Sequence, residues 1–228
     1  MYKKIISTLF ILLTLTAAVA FAESGEVFTI TAYVEGEVAA APDAASVVLS
    51  VKTRENTAKA AQSANAKTAN SVIAAVKNFG IAGEDIKTSR YTVYPVYDNA
   101  NRKIVGYFAE NSVTVKIKGA DKAGDVIDAA LNAGANQVSS IKFYKSNTKA
   151  LENEALTLAL KNAREQADIT ARALGVKIVG IKRAEPRVNH HSAQNSRMLM
   201  KAAANDATPI EAGEVFVTAS ATVEFIIR

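Results

Sequence analysis

The stretch TKALENEALTLALKNAREQADITARALG, residues 148 to 175, followed at once by VKIVGIKRAEP (176–186), decides how this chain is read. Leu156, Ala159, Ala163, Ala167, Ala171 and Leu174 recur at three- and four-residue spacing, which lines one face of a long helix with apolar, mostly small side chains. Gly175 is placed to end that helix, and the segment after it reads as a strand. A second stretch repeats the pattern. In NTAKAAQSANAKTANSVIAAVKNFG (56–80), Ala58, Ala61, Ala69, Val72, Val76 and Phe79 share a face, Thr57 is placed to cap the N-terminus and Gly80 to terminate the helix. Small side chains let such a helix approach a sheet closely, so the face of the 56–80 helix reads as core rather than a ligand platform.

Strands fill the space around them. Residues 27–39 and 44–55 carry period-2 apolar runs joined at Pro42-Asp43. A hairpin comes next, IKTSRYTVYPVYD and IVGYFAENSVTVKIK about the polar turn DNANRK, then a short helix stopped by Gly134, a strand through Val138, Ile141 and Phe143, and a final strand EVFVTASATVEFIIR. Short connections between neighbouring strands favour antiparallel pairing, so the expected fold class is α+β, antiparallel sheets with long Ala-rich helices packed on one face. Segments 44–118 and 137–228 share one order of elements, β-α-β-β, which either a diverged duplication or chance recurrence in an α+β fold produces.

Composition closes off much chemistry. The 228 residues hold no Cys, no Trp and two His, with 27 Lys+Arg against 22 Asp+Glu. No disulfide, thiolate metal site or thiol nucleophile can form, and adjacent His190 and His191 do not suit catalytic relays that draw imidazoles from separate positions. The phosphate-binding patterns G-x-x-x-x-G-K-[ST] and G-x-G-x-x-G are missing, as is the hydrolase elbow G-x-S-x-G. Glu35 and Glu37 alternate along a strand and would share a face, where they read as solvated charge. No catalytic site and no cofactor is expected.

The chain opens MYKKIISTLFILLTLTAAVAFA, with Lys3 and Lys4 before an apolar stretch from Ile5 to Leu15 and Ala20-Phe21-Ala22 as an A-x-A cleavage site. This is the pattern of a Sec signal peptide cleaved after Ala22, with residues 23–228 as the mature domain. Removing 22 residues, two of them lysine, leaves 206 at net charge +3 in place of +5. The expected location is the periplasm, with no transmembrane span in the mature chain and no nucleic acid partner.

Two places could bind something. NHHSAQNSRMLMK, within a polar loop at 189–213, brings His190, His191, Met198 and Met200 together as soft or borderline ligands suited to copper. The alternative is that these methionines pack the loop onto the body or a partner. The hairpin clusters Tyr91, Tyr94, Tyr97, Tyr107 and Phe108 beside Arg90, Arg102 and Lys103, and tyrosine-rich ribbons favour protein interfaces. A homo-oligomer is the expected partner state.

Gly36, Pro42-Asp43, Gly80-Ile81 with Asp85-Ile86-Lys87-Thr88, Pro95 with Tyr97, Gly106-Tyr107, Asn111, Gly134-Ala135-Asn136 and Thr208-Pro209-Ile210 with Gly213 together resemble the SIMPL (DUF541) family. The likeness runs from about residue 27 to 228. The resemblance implies an exported α+β protein able to form homo-oligomers, associated with the envelope or outer membrane and with oxidative stress, and with no established catalytic residues. The histidine pair is not part of that pattern. The matched glycines read as turn and helix-end positions, and Asn136 as a turn residue. The leading expectation is a non-enzymatic, self-assembling exported protein acting in envelope maintenance or stress tolerance, with an envelope protein as a further candidate partner. The alternative is a small-ligand or copper-binding module using the 189–213 loop.

Overall fold

The computed structural model describes residues 27–100, 102–189 and 210–228. The leader expected at 1–22 and the four His and Met candidates lie outside the described residues. Among the described residues, seven strands and three longer helices run in the order β1 (Thr29–Ala40), β2 (Ala44–Glu55), α1 (Ala58–Asn78), β3 (Ile86–Tyr97), β4 (Ile104–Lys118), α2 (Ala123–Asn132), β5 (Gln137–Tyr144), α3 (Lys149–Leu174), β6 (Ile178–Asn189) and β7 (Val215–Ile227). All strand pairs are antiparallel, in two sheets ordered β3-β4-β2-β5 and β1-β7-β6. The fold is α+β.

Helix α1 begins as its sequence dictates. The Thr57 hydroxyl accepts from the Ala60 amide at 3.2 Å, satisfying one of the donors that a helix start leaves without a partner. Gly80 lies just past the helix with φ 101° and Gly175 caps α3 with φ 71°, conformations that a Cβ would penalise.

In the four-stranded sheet β2 is central. Its odd positions Ala45, Val47, Leu49 and Val51 join Val113, Val115 and Ile117 of β4 and Val72 and Val76 of α1 in one core, which Val126 and Ile127 of α2 complete. Fully burying one such branched aliphatic side chain stabilises by roughly 1.5–3 kcal/mol. The three-stranded sheet is covered differently. Ala155, Ala159, Ala163, Ala167 and Ala171 form the buried stripe of α3, and the first four meet Ala32, Ala219, Ala221, Val223 and Phe225. Leu156 is half-buried beside this stripe, whereas Leu174, expected on the same face, is exposed at the last residue of the helix.

Pairing across the chain departs from the sequential reading. The strand at 137–144, which the order of elements in the sequence groups with α3, β6 and β7, hydrogen-bonds instead to β2. The sheet that contains β6 and β7 takes β1 as its third strand, paired with β7 from Thr29↔Ile226 to Ala40↔Val215. Both sheets therefore contain the same arrangement: a strand, a helix and a hairpin whose second strand returns beside the first. In one it is β2, α1, β3 and β4; in the other it is β1, α3, β6 and β7, with residues 44–144 set between β1 and α3.

Gly36 is a second departure. It sits within β1 rather than at a turn, and a Cβ built on it would lie 2.2 Å from the Ala155 carbonyl oxygen and 2.6 Å from the Ala159 nitrogen. The backbone of α3 approaches the strand so closely that only glycine fits. Asn136 is a third. Its amide pairs with the backbone of Lys52, accepting from the nitrogen at 2.9 Å and donating to the oxygen at 2.7 Å, so it extends the β5 ladder by one side chain.

Candidate functional site

The β3–β4 hairpin carries all five aromatic candidates, and its register sorts them. Tyr94 pairs with Phe108, and the two rings lie on the sheet face away from the helices, with centroids 5.6 Å apart. Tyr91 pairs with Asn111 and Tyr107 with Pro95, which places both on the helix-side face. Tyr97 stands at the tip, opposite Ile104. The hairpin thus presents aromatic side chains on both faces, as the alternation of the sequence requires. Tyr91 is 50%, Tyr94 37% and Tyr97 49% exposed, and Val93, Ile104 and Val105 are exposed beside them.

At the tip, Asp98 organises the turn. Its carboxylate accepts from the Arg102 amide at 2.9 Å, and its own amide donates to the Lys103 carbonyl at 2.9 Å. Pro95 sits in β3, an edge strand, where its missing N–H costs no ladder bond.

The outer face adds cations to these rings. Lys52 Nζ lies 4.3 Å from the Phe108 centroid and 5.7 Å from that of Tyr94, and the Arg54 guanidinium carbon lies 5.9 Å from Phe108. Such contacts contribute about 0.5–1 kcal/mol each at exposed sites. Hydrogen bonding to the Tyr94 phenol raises the Lys52 pKa above the usual lysine value, with the Glu110 carboxylate adding to the effect against desolvation. Lys52 and Arg54 are the members of this cluster that the linear sequence hid, since they lie on β2, far from the hairpin in the chain. The signal that finds them is their parity with Phe108 in the β2–β4 register.

Under the hairpin's base, Asn65 is fully buried on α1. Its Nδ2 donates to the carbonyls of Val51 at 2.8 Å and Ala109 at 2.9 Å, tying the helix to β2 and β4. Its spacing four residues from both Ala61 and Ala69 puts it on the buried face, although asparagine type alone suggests surface. Glu35 and Glu37 are exposed on β1, as expected of solvated charge. A separate cleft of about 180 Å³ lies where β3 begins, lined by Phe79, Ile81, Asp85 and three lysines, Lys116, Lys118 and Lys122. Among the described residues no group of three or more His, Asp or Glu side chains converges as a metal site would require, and no helix is long and apolar enough to cross a membrane.

Known proteins resemble this chain over most of its length. It is 32% identical to proteins named 26 kDa periplasmic immunogenic protein in Brucella melitensis and Brucella abortus, over 92% of this chain and 90% of theirs. It is 27% identical to the uncharacterized protein YggE of Escherichia coli K12, over 79% of this chain and 73% of that one. A family model described as SIMPL, protein of unknown function (DUF541), matches residues 30–225 and so spans both sheets and all three helices. The chain belongs to the SIMPL family.

Proposed function

We propose that this protein is an exported, non-catalytic member of the SIMPL family that assembles with copies of itself through the β3–β4 hairpin and acts in envelope maintenance or oxidative-stress tolerance. The observation that carries the reading is the concentration of exposed apolar side chains on one edge hairpin, Tyr91, Val93, Tyr94, Tyr97, Ile104 and Val105. An edge strand offers unpaired backbone groups, and aromatic side chains give an interface large area at low entropic cost. Export is supported by the basic, apolar and A-x-A order of residues 1–22 and by the word periplasmic in the names of the Brucella relatives.

Light scattering of the exported protein over micromolar concentrations tests the assembly. The expected result is a mass that is a multiple of the single chain, falling with dilution. A strictly monomeric species over that range removes the assembly reading. Tyr94→Ser with Tyr97→Ser lowers the mass if the hairpin is the contact, and an unchanged oligomer places the contact elsewhere.

A further inference from the structure

The strand register gathers basic side chains onto the outer face of the four-stranded sheet, opposite α1 and α2. Residues paired across strands share a face, so the partners of the core residues fix which side chains point away from it. β2 sends out Lys52 and Arg54, β3 Lys87 and Arg90, β4 Lys116 and Lys118, and β5 Lys142. Glu110 is the one carboxylate that the same register places there, and Asp85 reaches the margin to pair with Lys118 at 3.7 Å. Seven cations against Glu110 and the marginal Asp85 leave a net +5 on this face, more than the +3 of residues 23–228. The rest of residues 23–228 is therefore net acidic.

The centre of the face is small and uncharged. Ser46, Val48 and Ser50 of β2 run beside Ser112 and Thr114 of β4, and the hydroxyls of Ser50 and Ser112 bond at 2.7 Å. With strands about 4.8 Å apart and about 3.3 Å per residue, four strands make a shallow basic plate roughly 14 Å by 35 Å. One end holds the Tyr94–Phe108 pair, aromatic bodies of the kind that settle at lipid–water boundaries. The other end adjoins the cleft of about 180 Å³ that Lys116, Lys118 and Lys122 line, which has room for a phosphate-bearing headgroup.

We propose that this plate docks the protein onto a bilayer surface rich in anionic phospholipid. Charge complementarity selects the partner: lysine and arginine near an anionic leaflet are each attracted by about 1 kcal/mol, and several acting together hold a folded domain without insertion. The headgroup-sized cleft adds a contact that charge alone does not. The assignment rests on the proposed export but not on self-assembly, so vesicle binding and molecular mass fail independently.

Sedimentation with vesicles tests it, using protein recovered from the periplasmic fraction of an expressing host. The wild type is expected to pellet with equimolar phosphatidylglycerol and phosphatidylethanolamine, to stay in solution with phosphatidylcholine alone, and to be released by high salt. Replacing Lys87, Arg90, Lys116 and Lys142 together by Gln should weaken binding about a hundredfold or more. A variant with Lys59, Lys67, Lys149 and Lys161 replaced by Gln loses the same charge elsewhere and should bind within about threefold of wild type. Circular dichroism on both variants separates lost binding from lost fold, and if the face variant unfolds, Lys116→Gln with Lys142→Gln alone should still weaken binding about tenfold. Equal losses in the two variants, no pelleting by the wild type, or displacement by soluble polyphosphate at matched phosphate concentration would each overturn the proposal, the last by pointing to a free polyanion.

Discussion

The two helix–sheet units share an order of elements and differ in what fills the space between helix and sheet. Between α1 and the four-stranded sheet the filling is branched, Val72 and Val76 against Val47, Leu49, Val113 and Val115. Between α3 and the three-stranded sheet it is mostly alanine, with Gly36 where the helix backbone comes nearest. The first unit gains its stability by removing large apolar side chains from water. The second gains it by close approach, through many short-range dispersion contacts between backbones and methyl groups. One core is therefore sensitive to loss of volume and the other to gain of it.

The largest expected effect comes from the second core. Gly36→Val inserts three carbons where even a first one would sit 2.2 Å from the Ala155 carbonyl oxygen, so α3 must lift off β1. Overpacking of this kind costs upward of about 3 kcal/mol, because backbone atoms and not flexible side-chain ends must move. Urea denaturation reads it as a fall in midpoint, and a midpoint within error of wild type would break the contrast between the two cores.

Leu49→Ala probes the first core from the other side. Leu49 is fully buried at the centre of β2, and truncation there should cost about 3 kcal/mol, the lost transfer energy plus a cavity. The contrast sharpens with the matched change in the other unit: Ala163→Gly removes one methyl and should cost about 1 kcal/mol, mostly through helix propensity. Comparable losses from Leu49→Ala and Ala163→Gly would mean that the two cores do not differ in the way their composition suggests.

Asn65→Ala comes next. It removes the two hydrogen bonds that join α1 to the carbonyls of Val51 and Ala109, and about 2 kcal/mol is expected. Hydrogen exchange should speed up most in the first half of α1 and leave α3 unchanged. Uniform acceleration over both units would show that Asn65 holds more than its own.

Much of this fold is legible in the chain because it is local. Helix faces come from spacing, helix ends from Gly80 and Gly175, and the hairpin from alternation around Asp98, so α1, α3 and the five aromatic candidates fall where the sequence puts them. The hidden part depends on pairing between distant segments. Nothing near Thr29 says that β1 will pair with β7, and nothing near Gln137 says that β5 belongs beside β2. Gly36 reads as a turn glycine until the helix that crosses it is in place. The basic face is hidden for the same reason, since its cations come from four strands and only the register sums them.

The smallest effect concerns the joint between the units, where chain adjacency matters more than either core. Asp43 lies between the end of β1 and the start of β2. Its amide donates to the Tyr144 carbonyl at 3.2 Å and its carbonyl accepts from Gly119 at 2.8 Å. Its carboxylate accepts from the amide of Ser146 at 2.7 Å and from that residue's hydroxyl at 3.0 Å, with Lys145 Nζ at 3.2 Å. These contacts bind the entry into the first unit to the exit that leads on to α3. The Ser146 amide, and after it Lys145, hold the Asp43 pKa below its ordinary 3.8, because they favour the charged form against the cost of desolvation. A carboxylate with a depressed folded pKa binds fewer protons folded than unfolded, so its stabilisation is complete well above 3.8 and is lost as pH falls through the folded value. Asp43→Asn should therefore lower Tm slightly at pH 7, and the gap to wild type should close between about pH 5 and pH 2. A gap that persists at about pH 2 would assign the effect to the geometry of the turn and not to the charge. Because Asp43 is solvent-exposed, high salt should narrow the gap at pH 7 by weakening the Lys145 pair while leaving the Ser146 bonds in place.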